Sequence, residues 1–156
     1  MIKIVAVGKL KQDYLKTGIE YYLKQIPHKV ELIEVKDEAN INKIELEEKR
    51  ILDKIKSSDY VILLAIDGKM YTSEAFSAFI SQAIDQNSNL VFIIGGSYGV
   101  TSKIYERANE KVSFSKMTFP HQLMRLILIE QLYRSFMIQM NHPYHKWNYE
   151  TYILGF

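Results

Sequence analysis

Five short apolar segments, each followed by a segment with helical periodicity, are the feature that most constrains how this chain can fold. The segments predicted as strands are 2–8, 29–35, 60–66, 89–96 and 111–115. Two of them, 60–66 and 89–96, are apolar throughout, which is typical of strands covered on both faces. The segments predicted as helices are 13–26, 44–55, 73–86, 102–109 and 121–140. This alternation predicts a single-domain α/β sandwich with a mainly parallel sheet.

Local signals mark the ends of several of these elements. Ser73 is predicted to cap the third helix, because a serine hydroxyl can accept a bond from an unpaired helical N–H group. The segment DGKM (67–70) is predicted to turn the chain after the third strand. Pro120 is predicted to open the last and longest helix, since proline suits a first helical turn.

The composition is that of an ordinary folded protein, and it excludes several classes of site. With 156 residues, of which 47% are hydrophobic and 24% charged, the chain suffices for one domain with a core. The absence of cysteine excludes a disulfide framework, a thiolate metal site and a cysteine nucleophile. No apolar run approaches the roughly 20 residues of a membrane helix, and the N-terminal segment looks like a first strand rather than a signal peptide. We therefore expect a cytoplasmic protein without a membrane partner.

Positive charge is concentrated towards the C-terminal end of the chain, although the net charge is only +2. Residues 31–53 carry eight acidic and four basic side chains. Residues 111–146 carry five basic and one acidic side chain, together with three of the four histidines. A nearly neutral total does not by itself indicate a nucleic-acid partner, but this distribution directs attention to the C-terminal third.

Loops that follow the carboxyl ends of the strands are where ligands bind in folds of this class. The segment GGSYG (95–99) is one such loop, and its glycines permit a close approach of backbone N–H groups to a ligand. It is not a dinucleotide fingerprint, because the spacing differs and no acidic residue follows at the expected distance. A tight turn between strand and helix is the alternative interpretation.

The segment FSKMTFPHQLMR (114–125) joins the last strand to the long helix. His121 and Arg125 are four residues apart, so both project from one face of the first helical turns. Such a pair could position an anionic substrate. The alternative is that Arg125 forms an ordinary surface ion pair.

The long helix is apolar around most of its circumference, as expected for a helix buried by more than one neighbour. In a domain of this size, part of that surface is expected to contact a second subunit, which predicts a homodimer. The alternative is a central core helix in a monomer. Glu130 and Arg134, four residues apart, are predicted to form an internal pair.

The polar segment NHPYHK (141–146) follows the long helix, and Pro143 explains why the helix stops there. Histidine is the one side chain that titrates near neutral pH without help, so His145 could exchange a proton with a substrate. Tyr144 could stack on a base or donate a hydrogen bond, and Lys146 could bind a phosphate.

A metal site is not predicted for this segment. His142 and His145 have the spacing His-x-x-His, but no carboxylate or thiol cluster accompanies them. Taken alone, the segment would also suit an exposed polar tail without chemistry.

Four segments in this order resemble the ribosomal large subunit methyltransferase H family, in the SPOUT class of methyltransferases. They are IGGSYG (94–99), FSKMTFPHQLMR (114–125), EQLYRSF (130–136) and NHPYHK (141–146). The resemblance covers residues 1–146 and implies an α/β fold with a trefoil knot in the C-terminal half. It also implies a homodimer with a shared active site. The implied reaction transfers a methyl group from S-adenosylmethionine to N3 of a pseudouridine in 23S rRNA of the assembled ribosome.

The resemblance also implies which residues bind the cofactor and the RNA. Backbone groups of two loops and one strand end would hold the adenine and methionine parts of S-adenosylmethionine, and the residues concerned are Leu64, Gly96, Phe114, Ser115, Lys116, Met117, Thr118 and Phe119. Lys146 would bind backbone phosphate, with His142 also on the RNA side. No metal is implied.

The implied reaction needs alignment of the methyl donor and removal of a proton from the target nitrogen. We hypothesise that His145 takes or relays this proton and that Tyr144 packs against the base. Arg125 and His121 would steady the ring and its developing negative charge.

The chain departs from the family pattern at its end. Residues 1–146 are predicted as the methyltransferase domain and 147–156, WNYETYILGF, as an atypical C-terminal extension. Two alternatives to the ribosomal activity stay open at this point. One is a methyltransferase of the same class that acts on another RNA, and the other is a catalytically silent α/β module that binds a ligand as a dimer.

Overall fold

The computed structural model of the protein describes residues 1–146, so the predicted extension 147–156 lies outside the described residues. The strands are β1 (Ile2–Val7), β2 (Val30–Val35), β3 (Tyr60–Met70), β4 (Leu90–Ile94) and β5 (Glu110–Ser113). The helices are α1 (Asp13–Leu23), α2 (Ile44–Leu52), α3 (Ser73–Gln86), α4 (Ser102–Arg107) and α5 (His121–Gln139). A short 3₁₀ turn, Ile41–Lys43, precedes α2.

The strands form one sheet in the order β2-β1-β4-β3-β5, and each pair of neighbours is parallel. The predicted α/β fold with a mainly parallel sheet is therefore confirmed. All five carboxyl ends lie along the same edge of the sheet, which we call the carboxyl edge. In the strand order, β4 is central, with two strands on either side.

Alternate side chains of the central strands enter two apolar cores, one on each face of the sheet. Ile4 and Phe92 face the larger core, which α1, α3 and α5 cover. Val5 and Ile93 face the smaller core, covered by α2 and α4. This arrangement explains why β4, LVFII, is apolar at every position and wholly buried.

The segment predicted as a turn after β3, DGKM (67–70), belongs instead to the strand. β3 pairs with β5 at Leu64, is interrupted by an irregularity, and resumes the pairing at Lys69. The turn prediction was wrong because pairing with β5, far along the chain, overrides the turn propensity of Asp and Gly.

Gly68 lies in this irregular part of β3, close to the backbone of β5. A Cβ atom added there would be 2.7 Å from backbone atoms of Lys111 and Val112. We expect Gly68→Ala to lower the free energy of unfolding by about 1–3 kcal/mol, since it overpacks a site that side-chain motion cannot relieve. Urea unfolding measures this change, and an unaltered transition midpoint would contradict the close approach.

The predicted cap of α3 is also corrected by one residue. Thr72, not Ser73, is the N-cap, and its hydroxyl accepts a bond from the backbone N–H of Ala75 at 3.1 Å. The Ser73 hydroxyl instead donates to Gln131 of α5 at 2.9 Å. Two adjacent hydroxyl residues can both satisfy the N-cap preference, so the sequence signal did not separate them.

Helix α5 lies between α1 and α3 on the larger core. Leu128, Leu132 and Phe136 are buried against the sheet, while Leu126 packs on Gly18 of α1. Neighbours within one subunit thus account for much of its apolar surface, and the homodimer stays a prediction. The predicted pair between Glu130 and Arg134 is present, at 2.6 Å. Among residues 1–146, no helix is long and apolar enough to span a membrane.

His28 makes stability depend on pH. Its ring stacks on Phe136, with 5.5 Å between ring centroids, and its Nε2 atom is buried without a hydrogen-bond partner. Burial, and to a smaller extent the N-terminal ammonium group, lower the pKa of His28 below its ordinary 6.5. The folded protein therefore binds fewer protons than the unfolded chain, so stability falls as the pH drops below about 6.5.

Replacing His28 by Gln removes this titration. We expect the difference in free energy of unfolding between about pH 7.5 and about pH 5.5 to be smaller for His28→Gln than for the wild type. Urea unfolding at the two pH values measures both differences. Equal differences would mean that His28 does not contribute to the acid sensitivity.

Candidate active site

A cleft of about 310 Å³ opens at the carboxyl edge of the sheet, beside the middle of β3, just before its irregularity. Three separate segments line it: residues 64–66 of β3, the glycine loop after β4, and the segment from the end of β5 into α5. Seven of the eight residues expected to bind a cofactor line this cleft, namely Leu64, Gly96, Phe114, Ser115, Met117, Thr118 and Phe119. The eighth, Lys116, has an exposed side chain and does not line it. The cleft walls are mainly apolar with a few hydroxyl and backbone groups, as in small-molecule sites generally.

The cleft continues between β3 and β4 into a second compartment of about 350 Å³. The two compartments share residues of β3 and of the glycine loop, and the second one reaches His121 and Tyr105. The Tyr105 hydroxyl donates to Asp67 at 2.9 Å on this wall. Sequence analysis did not single out Tyr105 of α4, and it treated Asp67 only as part of the turn predicted at 67–70.

The close packing around Gly96 explains why the loop after β4 has a glycine at this position. A Cβ atom added to Gly96 would be 2.8 Å from Val7 Cγ1 and 3.4 Å from Glu47 Oε1. The loop therefore packs directly on β1 and on α2, and its other side lines the cleft. Both interpretations of GGSYG hold together here, because the turn is tight and it also forms one wall of the cleft.

The opposite wall, the loop from β5 to α5, is held by its own hydroxyl groups. Ser113 donates to the carbonyl of Ser115 at 2.9 Å, and the Ser115 hydroxyl accepts from the backbone N–H of Met117 at 2.9 Å. Local hydrogen bonds of this kind fix a loop without help from neighbouring elements. The wall is thus shaped before any ligand enters.

Arg125 is completely buried, so the surface ion pair considered above is wrong. One terminal nitrogen donates to Glu34 at 2.8 Å, and the other donates to the carbonyls of Val7 and Gly8 at 2.9 and 2.7 Å. These bonds tie α5 to the carboxyl ends of β1 and β2. Because its terminal nitrogens are engaged within the protein, this geometry favours a positioning role for Arg125 over direct contact with a substrate.

His121 lies one helical turn before Arg125 and is half-buried at the cleft. Its Nε2 atom and an Arg125 nitrogen both lie 3.7 Å from the Cβ position of Gly8, so the predicted pair does share one face. Burial and the positive charge of Arg125 lower the pKa of His121, and the nearby Asp37 and Glu47 oppose that shift. The ring is therefore neutral at pH 7 and able to accept a proton.

Tyr144 folds back from the C-terminal segment onto α5. Its hydroxyl donates to Glu130 at 2.9 Å, its ring packs edge-on against Tyr133, and the Arg134 guanidinium lies over the ring at 4.8 Å. Burial and hydrogen bonds to Tyr22 and Glu130 raise the pKa of Tyr144. The hydroxyl is thus a hydrogen-bond donor rather than a base.

His145 uses both ring nitrogens within the described structure. Nδ1 lies 3.0 Å from a terminal nitrogen of Arg134, and Nε2 lies 2.9 Å from Glu74 Oε1. Arginine can only donate, so Nδ1 accepts and Nε2 carries the proton that is donated to Glu74. One tautomer of His145 therefore satisfies both contacts. Glu74 was missed by sequence analysis, because it lies 71 residues away on α3.

The cleft and the C-terminal segment are two separate parts of the subunit. In residues 1–146, no hydrogen bond, ion pair or ring contact of Tyr144 or His145 involves a residue that lines the cleft. His142 and Lys146 are exposed, and His142 accepts a bond from the backbone N–H of Tyr144. Over the same residues, no group of three His, Asp or Glu side chains could hold a metal ion.

Comparison with known proteins gives one consistent result. A family model described as "Predicted SPOUT methyltransferase" matches residues 1–145. Proteins named "Ribosomal RNA large subunit methyltransferase H" from Streptococcus pneumoniae (strain CGSP14) and Streptococcus uberis (strain ATCC BAA-854 / 0140J) are each 50% identical to this chain over 157 aligned residues. Each alignment covers 93% of this chain and 99% of the relative.

Proposed function

This chain belongs to the SPOUT methyltransferase family, and from that premise we propose that it methylates N3 of a pseudouridine in 23S rRNA of the assembled ribosome. The methyl donor is S-adenosylmethionine, and the reaction takes place in the cytoplasm, where ribosomes are found. The name of the two relatives refers to ribosomal RNA of the large subunit, which supports this substrate.

One observation carries the proposal for the cofactor. Three segments that are far apart in the chain meet in one cleft, and they contribute seven of the eight expected cofactor residues. The apolar side chains of Phe114, Met117 and Phe119 suit an adenine ring, and the space beside Gly96 suits backbone contact with a polar ligand. Bound there, S-adenosylmethionine supplies an electrophilic methyl group on sulfur.

The residues of the C-terminal segment complete the reaction in this proposal. His145 accepts the proton of N3 as the nitrogen forms its bond to the methyl carbon and the carbon–sulfur bond breaks. Tyr144 packs against the base, and Lys146 and His142 contact the RNA backbone. His121, which is neutral and lies beside the cleft, steadies the pseudouridine ring by hydrogen bonding. Arg125 holds α5 in position through its bonds to the ends of β1 and β2.

We infer a homodimer because the cleft and the C-terminal segment are separate in one subunit. The C-terminal segment of one subunit completes the cleft of the other, and the trefoil knot is part of the same proposal. Mixing a His145→Ala protein with a Gly96→Ala protein tests this arrangement. Methyl transfer that returns on mixing supports a shared site, whereas two variants that stay inactive together contradict it.

Calorimetry with S-adenosylmethionine tests the cofactor assignment. We expect saturable binding to the wild-type protein and weaker binding to Gly96→Ala, because the added methyl group forces the loop away from Val7. If no heat of binding is detected at high micromolar S-adenosylmethionine, the proposed methyltransferase mechanism is wrong.

A further inference from the structure

Lysine side chains lie at the carboxyl ends of four of the five strands, along the edge where the cleft opens. Lys36 directly follows β2, Lys9 follows β1 by two residues, Lys69 lies next to the end of β3, and Lys116 follows β5. All four are exposed, and we call them the basic rim. The remaining strand, β4, runs into the glycine loop of the cleft instead.

The strand order places two of these lysines on either side of β4, and the cleft lies on the side of β3 and β5. Since the order is β2-β1-β4-β3-β5, Lys36 and Lys9 lie on one side of β4, and Lys69 and Lys116 lie on the other. Neighbouring strands are about 4.8 Å apart, so the rim extends across roughly 19 Å. This length accommodates several consecutive phosphates of a single nucleic-acid strand.

The rim lysines keep their charge at the surface, although Lys69 Nζ lies over the Tyr71 ring, 5.0 Å from its centroid. None of the ion pairs among residues 1–146 includes a rim lysine. Of the acidic side chains at the same edge, Glu34 pairs with Arg125 and Glu38 pairs with Arg50. Asp37 and Asp67 also lie there, but neither forms an ion pair among residues 1–146. The lysine charges are therefore available to an anionic partner.

Apolar side chains lie beside Lys69 and Lys116, at the cleft itself. Ile66 and Met117 line the cleft, yet they are 57% and 74% exposed. RNA-binding proteins commonly hold the backbone by charge while a splayed-out base contacts an apolar surface. An acidic protein partner would not need such a surface beside a cofactor cleft.

We propose that the basic rim docks the RNA substrate by its phosphates and aligns it across the mouth of the cleft. This inference rests on the proposed function, and it adds the surface by which the protein binds the RNA backbone. It also explains how a chain with a net charge of +2 can bind RNA, because the charge is placed along one edge.

Two variants with the same change in charge test the proposal. The rim variant carries Lys9→Gln, Lys36→Gln and Lys69→Gln, and it leaves out Lys116 because that residue belongs to the expected cofactor segment. The control variant carries Lys29→Gln, Lys54→Gln and Lys56→Gln, three exposed lysines near the amino ends of β2 and β3. Binding to ribosomes and to protein-free 23S rRNA is measured at increasing KCl, with cofactor binding as the check of folding.

For the rim variant we expect the slope of log affinity against log salt to be shallower by about 3, close to one unit per lost phosphate contact. Its affinity falls by about tenfold or more at low salt, while the control variant matches the wild type. Equal slopes for the rim variant and the wild type would overturn the proposal. Weaker binding to ribosomes alone would also overturn it, because the rim would then contact a ribosomal protein.

Failure of the proposed function has a different outcome. If the wild type methylates no rRNA but the rim variant still loses binding to ribosomes and to protein-free 23S rRNA, the role of the basic rim is supported and the proposed reaction is wrong. If the rim variant methylates ribosomes with an unchanged KM, the proposed reaction is supported and the proposed role of the basic rim is wrong.

Discussion

Replacing His145 by Ala is expected to lower methyl transfer to ribosomes by a factor of roughly 100 to 10,000, the usual contribution of a general base. Cofactor affinity should change little, because no described contact of His145 involves the residues that line the cleft. Single-turnover transfer of labelled methyl groups, together with calorimetry, separates the two effects. His28→Gln is the matched control, since it also removes an imidazole, one that stacks on Phe136 and has no proposed role in the reaction.

The contacts of both ring nitrogens of His145 lead to a second prediction. In the described position, Arg134 and Glu74 occupy both ring nitrogens of His145, so the ring must leave at least one of them before it accepts a proton. Glu74→Gln should therefore change the pH profile of methyl transfer more than it changes cofactor binding. Turnover by His145→Ala at the wild-type rate would mean that another group removes the proton.

Replacing Arg125 by Met is expected to lower the free energy of unfolding by about 3–5 kcal/mol, as when one partner of a buried ion pair is removed. The loss leaves the carbonyls of Val7 and Gly8 without their donor, and these lie in the buried part of the network. Glu34 contributes less, because its side chain is 38% exposed and water can replace the arginine. Urea unfolding measures the difference.

Arg50→Met is the matched control for this prediction. Arg50 also pairs with a carboxylate, Glu38, and also donates to a backbone carbonyl, but its side chain is 31% exposed. We expect it to cost about 1 kcal/mol or less. Similar losses for the two variants would contradict the structural role assigned to Arg125.

Much of the fold could be predicted from local sequence, because local signals and the tertiary structure agree. The fully apolar segments around 60–66 and 89–96 became the central parallel strands, and the helical periodicities gave five helices. The error after β3 has a physical cause: DGKM has the composition of a turn, but the backbone beside Gly68 approaches β5 closely enough to continue the sheet.

The candidate site was predictable only in part. The glycine loop and residues 114–119 carry motifs, and they do meet in one cleft. Burial of Arg125 could not be predicted, since its partner Glu34 is 91 residues away in the chain. For the same reason, nothing in the sequence near Glu74 indicates that it bonds to His145. Pairings over such distances depend on the assembled sheet and helices.

Mass spectrometry of 23S rRNA shows whether the protein methylates N3 of a pseudouridine. Ribosomes that lack the modification are incubated with the protein and S-adenosylmethionine, and the rRNA is then digested and its nucleosides are analysed. We expect one added methyl group on N3 of one pseudouridine, which the His145→Ala protein does not produce. Wild-type protein that binds S-adenosylmethionine but leaves the pseudouridine unmethylated, or that methylates a different nucleotide, would contradict the proposed function.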